Sequence, residues 1–259
     1  TFNVDDVGYA SAAAAGLTAG NITPTGASVG TKQGFSIIAF TGDGQTDGEV
    51  PHGLNQSPDL VIIKSTNQTQ DWKVHTPGLT SQYLLTLNEN YAQGHSSWNG
   101  VTNTVFKPAR VGDTYLNTNS THNYIAFCWH NVPGLQKFGT YTGNNNADGP
   151  FVELGFRPAV IILKRSSSGG GNWFIIDSTR DSYNYAHKFI LSNASNVEET
   201  TNDYSTELCD IVSNGFKIRG DASDYNGSSN FNISGATYIY AAWAEAPSID
   251  LYGGGANAR

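Results

Sequence analysis

Two stretches of this chain carry the same strings in the same order at a separation that begins near 101 residues, so one module is written twice. Phe35-Ser-Ile-Ile-Ala-Phe-Thr-Gly42 is echoed by Phe138-Gly-Thr-Tyr-Thr-Gly143, and each leads through a polar loop to Asp-Gly, at Asp47-Gly48 and Asp148-Gly149. Pro58-Asp-Leu-Val-Ile-Ile-Lys64 then matches Pro158-Ala-Val-Ile-Ile-Leu-Lys164, and Trp72 matches Trp173. Val105-Phe106 parallels Gly215-Phe216, and Tyr124-Ile-Ala-Phe-Cys-Trp129 parallels Tyr238-Ile-Tyr-Ala-Ala-Trp243. The separation grows to 114 at Pro133 and Pro247, as it does when insertions collect in loops.

The modules read as residues 34–134 and 135–247, with an extended N-terminal arm at 1–33 and a tail at 248–259. Each offers short apolar runs punctuated by Gly, Pro, Asn and Asp, in a chain only 14% charged and 12% aromatic. That texture predicts an all-β fold, two tandem β-sandwich modules, jelly-roll-like or Ig-like. In 124–129 both faces are apolar, Tyr124, Ala126 and Cys128 on one and Ile125, Phe127 and Trp129 on the other, which marks a central strand. Trp72, Trp129, Trp173 and Trp243 recur between the copies and read as core aromatics. Cys128 aligns with Ala242 and reads as a small core side chain rather than a reactive thiol. The arm, rich in Thr, Gly and Ser, has little to bury and is expected to order against a neighbour.

Several chemistries are disfavoured. A net charge of −8 with no Lys/Arg cluster repels phosphate backbones, so nucleic acid is not an expected partner. No apolar run approaches the roughly 20 residues of a membrane-spanning helix, and a membrane partner is not expected. The two cysteines, Cys128 and Cys209, have neither the spacing of a zinc site nor that of a disulfide framework. None of the histidines forms an HxH or HExxH pair, and the second copy lacks His where the first has His52, His75, His122 and His130. Gly26-Ala-Ser28-Val-Gly30 matches the nucleophile-elbow motif letter for letter, but no strand, turn and helix pattern surrounds it, and it reads as linker.

Asn144, Asn146, Asp148 and Gly149 fall on the first positions of a calcium loop, as do Asp43, Asp47 and Gly48 in the first copy. The twelfth position, where a bidentate carboxylate belongs, is Gly155 in one copy and Leu54 in the other. A turn closed by Asp-Gly accounts for the same residues without metal. Asp221, Asp224 and Asn226 make another acidic loop of the same kind. No catalytic residue, cofactor or metal is therefore assigned. Trp98 has no counterpart in the second copy and lies in a polar loop, and Tyr183 and Tyr185 lie in another. These three are the candidates for surface or glycan contact.

The combination of Gly34-Phe-Ser-Ile-Ile-Ala-Phe-Thr-Gly42, Pro58-Asp-Leu-Val-Ile-Ile-Lys64, Gly155-Phe-Arg-Pro158, Ile211-Val-Ser-Asn-Gly-Phe216 and Tyr238-Ile-Tyr-Ala-Ala-Trp-Ala-Glu-Ala-Pro247 resembles an uncharacterised β-rich domain of marine bacteriophage and cyanophage virion proteins. In those proteins it often sits at the C-terminal end of long fibre or appendage chains, after lectin-type domains. The resemblance implies a non-enzymatic structural protein on the exterior of the virion, in a tail fibre or a capsid decoration, with a role in host-surface adhesion. It implies as partners copies of the same chain in a homo-oligomer such as a trimer, other virion proteins, and a host-surface glycan. Two other expectations compete with it, a lectin-like carbohydrate-binding module and a glycan depolymerase or esterase domain.

Overall fold

In the computed structural model, which describes residues 1–94, 97–109, 115–117, 119–167, 169–200, 208–219 and 231–246, the chain opens as a hairpin. Phe2–Val4 (β1) pairs antiparallel with Val7–Tyr9 (β2) across Asp5-Asp6, and both aspartates take positive φ, as a two-residue hairpin turn requires. Gly26–Gly30 (β3) runs parallel to β1, and Asp5 ties the hairpin to the end of β3 by accepting from Thr31 N at 2.8 Å and Thr31 Oγ1 at 2.6 Å. Residues 1–33 are thus three strands of a sheet rather than an arm awaiting a neighbour. Their intervening turns bury Ala12, Leu17 and Ile22 in the core, and burying side chains of the last two kinds stabilises by about 1.5–3 kcal/mol each.

The sheet continues through Phe35–Thr41 (β4), and beyond the short Val50–Pro51 (β5) come Leu60–Ser65 (β6), Lys73–His75 (β7) and Leu85–Thr86 (β8). Val105–Phe106 (β9) pairs with β5 in a small second sheet, and Asn123–Trp129 (β10) inserts between β4 and β6. The order across the large sheet is β2-β1-β3-β4-β10-β6-β7-β8. The strict alternation of β4 sends Ser36, Ile38 and Phe40 inward, and β10 sends Tyr124, Ala126 and Cys128 inward beside them. β10 is central, as its sequence predicts. Its other face is only half-buried, however: there Phe127 and Trp129 stack at 6.2 Å and Trp72 stacks on Phe127 at 6.3 Å.

The second unit holds Gln136–Thr142 (β11), Phe151–Glu153 (β12), Pro158–Arg165 (β13), Trp173–Asp177 (β14), Lys188–Leu191 (β15), Glu199–Thr200 (β16), Cys209–Val212 (β17), Gly215–Ile218 (β18) and Thr237–Ala244 (β19). Its large sheet runs β11-β19-β13-β14-β15-β16, and its small one β12-β18-β17. Strands β4, β10, β6, β7 and β8 follow one another across the first sheet in the order in which β11, β19, β13, β14 and β15 follow across the second. Phe40 stacks on Tyr124 at 5.2 Å and meets Phe106 edge-on, while Tyr141 stacks on Tyr238 at 4.8 Å and meets Phe216 edge-on. Of the four paired tryptophans Trp173 is buried, whereas Trp72, Trp129 and Trp243 are half-buried on the face away from these clusters.

The described chain is all-β, with several sheets of β-sandwich type. It divides into two compact units, one of residues 1–86 and 94–131, the other of Leu87–Gln93 together with the described residues from Val132 onward. The tail at 248–259 lies outside the described residues.

Candidate functional site

The Asp-Gly loops are closed by buried asparagines. Asn232, fully buried, donates from Nδ2 to Asn144 Oδ1 at 3.0 Å and to Asn146 O at 2.8 Å, and its Oδ1 accepts from Asn144 N at 2.8 Å. Asn117 treats the first copy alike: Nδ2 donates to Asp43 Oδ1 at 2.6 Å and to Gln45 O at 2.8 Å, and Oδ1 accepts from Asp43 N at 2.9 Å. The loop side chains are turned onto their own backbone, with Asn144 Oδ1 accepting from Asn146 N, Asn146 Oδ1 from Asp148 N, and Asp43 Oδ1 from Gln45 N. Asp148 bonds the Lys217 ammonium, which holds its carboxyl below the usual carboxylate range. Asp43 Oδ1, Asn144 Oδ1, Asn146 Oδ1 and Asp148 Oδ1 are thus engaged in the loops themselves, and among the described residues no three His, Cys, Asp or Glu side chains form a group able to hold a metal. The loop containing Asp221, Asp224 and Asn226 lies outside the described residues.

The sequence-matched nucleophile is not on an elbow. Ser28 occupies the middle of β3, paired opposite Ile37, and an extended strand lacks the sharp turn into a helix that lifts a serine oxygen toward a base. Nor is the segment a linker, since Ala27 and Val29 beside it are buried. His52 is buried in the first unit, its Nε2 donating to Thr102 O at 3.1 Å and its Nδ1 accepting from Leu54 N at 3.1 Å, and burial pulls the imidazole down to about 4. Burial likewise pulls His75 down to about 4. Cys128 and Cys209 are fully buried free thiols, pushed up to about 12 by desolvation.

Of the three aromatic candidates, Trp98 does not reach the surface. It is 1% exposed, stacked on His75 at 4.5 Å and parallel to Phe106 at 6.2 Å, so it presents no face to a sugar. It lacks a counterpart because the first unit fills this part of its core from a loop, where the repeated strings give no guidance.

Tyr183 and Tyr185 share a built loop between β14 and β15. Asn184 acts as a strand residue would, donating from Nδ2 to Ile211 O at 3.0 Å and accepting at Oδ1 from Ile211 N at 2.9 Å. Buried Asp181 accepts from His187 N at 2.9 Å and Lys188 N at 2.7 Å, and its Oδ1 lies 3.1 Å from His187 Nδ1. The loop is therefore fixed at both ends while Tyr183 stands 86% exposed at its tip. Tyr185, half-buried, meets the His187 ring edge-on at 6.2 Å. The arrangement displays an apolar ring beside an imidazole whose orientation Asp181 sets. The sequence does not mark Asp181 and His187, because an aspartate six residues from a histidine has no recurring significance outside this loop.

A family model described as a domain of unknown function (DUF7483) matches residues 7–247. No curated protein and no solved structure matches the chain.

Proposed function

The chain belongs to the DUF7483 family, a domain of unknown function, and from the resemblance of its repeated strings we propose that it is a non-enzymatic structural protein of the exterior of a bacteriophage particle. It serves there as a tail-fibre or capsid-decoration protein that assembles as a homo-oligomer, is adhesive at its loops, and is built from two copies of one β-sandwich module. The duplication is supported by the shared strand order, the matched ring clusters and the matched asparagine clamps. The virion assignment is supported by the resemblance of the repeated strings to phage appendage domains.

The observation that carries the adhesive role is Tyr183. A ring 86% exposed on a loop pinned by Asn184 and Asp181 costs little entropy to immobilise on contact, which suits a recognition surface. His52, Cys128 and Cys209, by contrast, are buried with their reactivity suppressed.

Gold-conjugated antibody against the folded chain should decorate intact particles in which mass spectrometry detects it. Label that appears only after the particles are disrupted overturns the exterior assignment. A second reading, a lectin-like module, is favoured by the same exposed ring. On a glycan array it predicts signal that Tyr183→Ala reduces, and an array silent for the intact chain sinks it.

A further inference from the structure

In the second unit, Asn90–Ala92 and Gly169–Asn172 line a shallow cleft of about 290 Å³. Beneath its floor lies a buried lysine amine that is not itself part of the lining. Lys164, fully buried at the end of β13, donates to Asn90 O at 3.2 Å, to Tyr91 O at 2.8 Å and to Gly171 O, so its three protons are directed at backbone carbonyls. Gly171 N adds a bond to Asn90 O at 2.8 Å. The two segments press backbone to backbone: at Gly170, whose φ is +61°, a Cβ would stand 2.4 Å from Asn90 O.

Above this floor the Tyr91 ring is 66% exposed although its own carbonyl is held by Lys164. Beside it, Asn172 Oδ1 accepts from Asn193 Nδ2 at 2.9 Å, which fixes the orientation of that amide, while Asn90 is exposed at the rim. The lining thus combines Tyr91, two carboxamides and glycine backbone, and its own residues carry no charge, the Lys164 protons beneath being taken by carbonyls and the Arg165 guanidinium packing against Gly169.

A flat apolar ring flanked by amides matches a pyranose, whose axial C–H face covers an aromatic ring while its hydroxyls reach donors and acceptors at the edge. An uncharged lining favours an uncharged sugar. A volume near the lower end of small-molecule sites, about 300 Å³, suits one or two rings. We propose that the Tyr91 cleft binds a neutral saccharide unit, an activity that rests on the adhesive reading and places a glycan contact apart from the Tyr183 loop.

The test is a calorimetric or saturation-transfer titration of the purified full chain with cellotriose, chitotriose and maltotriose, and with trigalacturonate as the acidic comparison. At least one neutral trisaccharide is expected to bind with a Kd in the millimolar range, about 1 mM by the affinity scale of small weak ligands. Tyr91→Phe should keep that affinity within about threefold, and Tyr91→Ala should weaken it at least about tenfold, a loss of the size expected for a stacked ring. Val197→Ala, an exposed side chain outside both loops, should leave it unchanged. The ring of Tyr91 is exposed, so the variants fold, and their thermal melts check this. No binding by any neutral trisaccharide, binding of trigalacturonate alone, or unchanged binding in Tyr91→Ala overturns the assignment. The titration needs no particle, so a silent cleft with decorated virions rejects the saccharide site and leaves the exterior role standing, whereas binding without decoration does the reverse.

Discussion

Asn232 and Asn144 are joined twice, once from side chain to side chain at 3.0 Å and once from backbone to side chain at 2.8 Å, with Asn232 fully buried. A buried carboxamide with three hydrogen bonds leaves its partners unsatisfied when it is removed, at about 1–3 kcal/mol for each stranded group that water cannot reach. Asn232→Ala and Asn117→Ala should each lower the unfolding free energy by about 2–4 kcal/mol, measured by urea titration of tryptophan fluorescence. Asn232→Asp should be no better, because both Nδ2 bonds point at acceptor oxygens that a carboxylate would repel. A loss below about 1 kcal/mol in both alanine variants would show that the loops are not held by these residues.

Calcium should have no effect on the fold. The carboxamide oxygens of Asn144 and Asn146 accept backbone N–H groups, and the Asp148 carboxylate is taken by Lys217. The melting temperature in about 5 mM calcium, far above the dissociation constants even of weak extracellular sites, is expected to lie within about 1 °C of that in chelator. A rise of several degrees would establish a site that the loop geometry argues against.

Acid should unfold the protein in a defined window. His52 and His75 are neutral in the folded chain down to about 4, because burial disfavours their charged forms, whereas in the unfolded chain they titrate near 6.5. Between those values the unfolded state binds more protons. Stability is therefore fully present above pH 6.5 and drains away as pH falls toward 4, by up to about 3 kcal/mol per histidine. Chemical unfolding at pH 7 and 4.5 measures the slope, and His52→Gln should reduce it. An identical slope in the variant would assign the acid sensitivity elsewhere.

The thiols give a readout of local opening. Cys128 and Cys209 are buried and pushed up to about 12, so iodoacetamide at pH 8 should leave both unmodified in the native chain and label both in denaturant, as intact-mass spectrometry will count. Rapid native labelling of Cys209 would mean that β17 separates from β18 far more readily than the rest of its sheet.

Much of the architecture is legible in the sequence, because the strands that form the sheet centres are those whose strings recur. Tyr124 to Trp129 reads as a central strand and lies between β4 and β6. The Asp-Gly segments read as a hairpin turn or an inter-strand loop, and each is a loop that joins strands of two different sheets, β4 to β5 and β11 to β12. What stays hidden depends on partners distant in the chain. β1 pairs in parallel with β3 across a Gly- and Thr-rich stretch, and no period marks Leu17 or Ile22 as buried. Asn117 and Asn232 are two asparagines in a chain full of them, and only burial distinguishes them. Trp98 has the polar neighbours of a surface ring, yet its environment is decided by His75. Tyr91 lies in the same loop and is the ring that stays in solvent.

The passage of Leu87–Gln93 into the second unit bears on how far this protein can be taken apart. A scission between Asn131 and Val132 would look natural on the strand diagram, but the downstream fragment would lack two of the carbonyls that receive the Lys164 ammonium, those of Asn90 and Tyr91. A fragment that begins at Val132 leaves the Lys164 amine with one of its three carbonyls, so an exchange that is to keep this clamp has to carry Leu87–Gln93 along with the second unit.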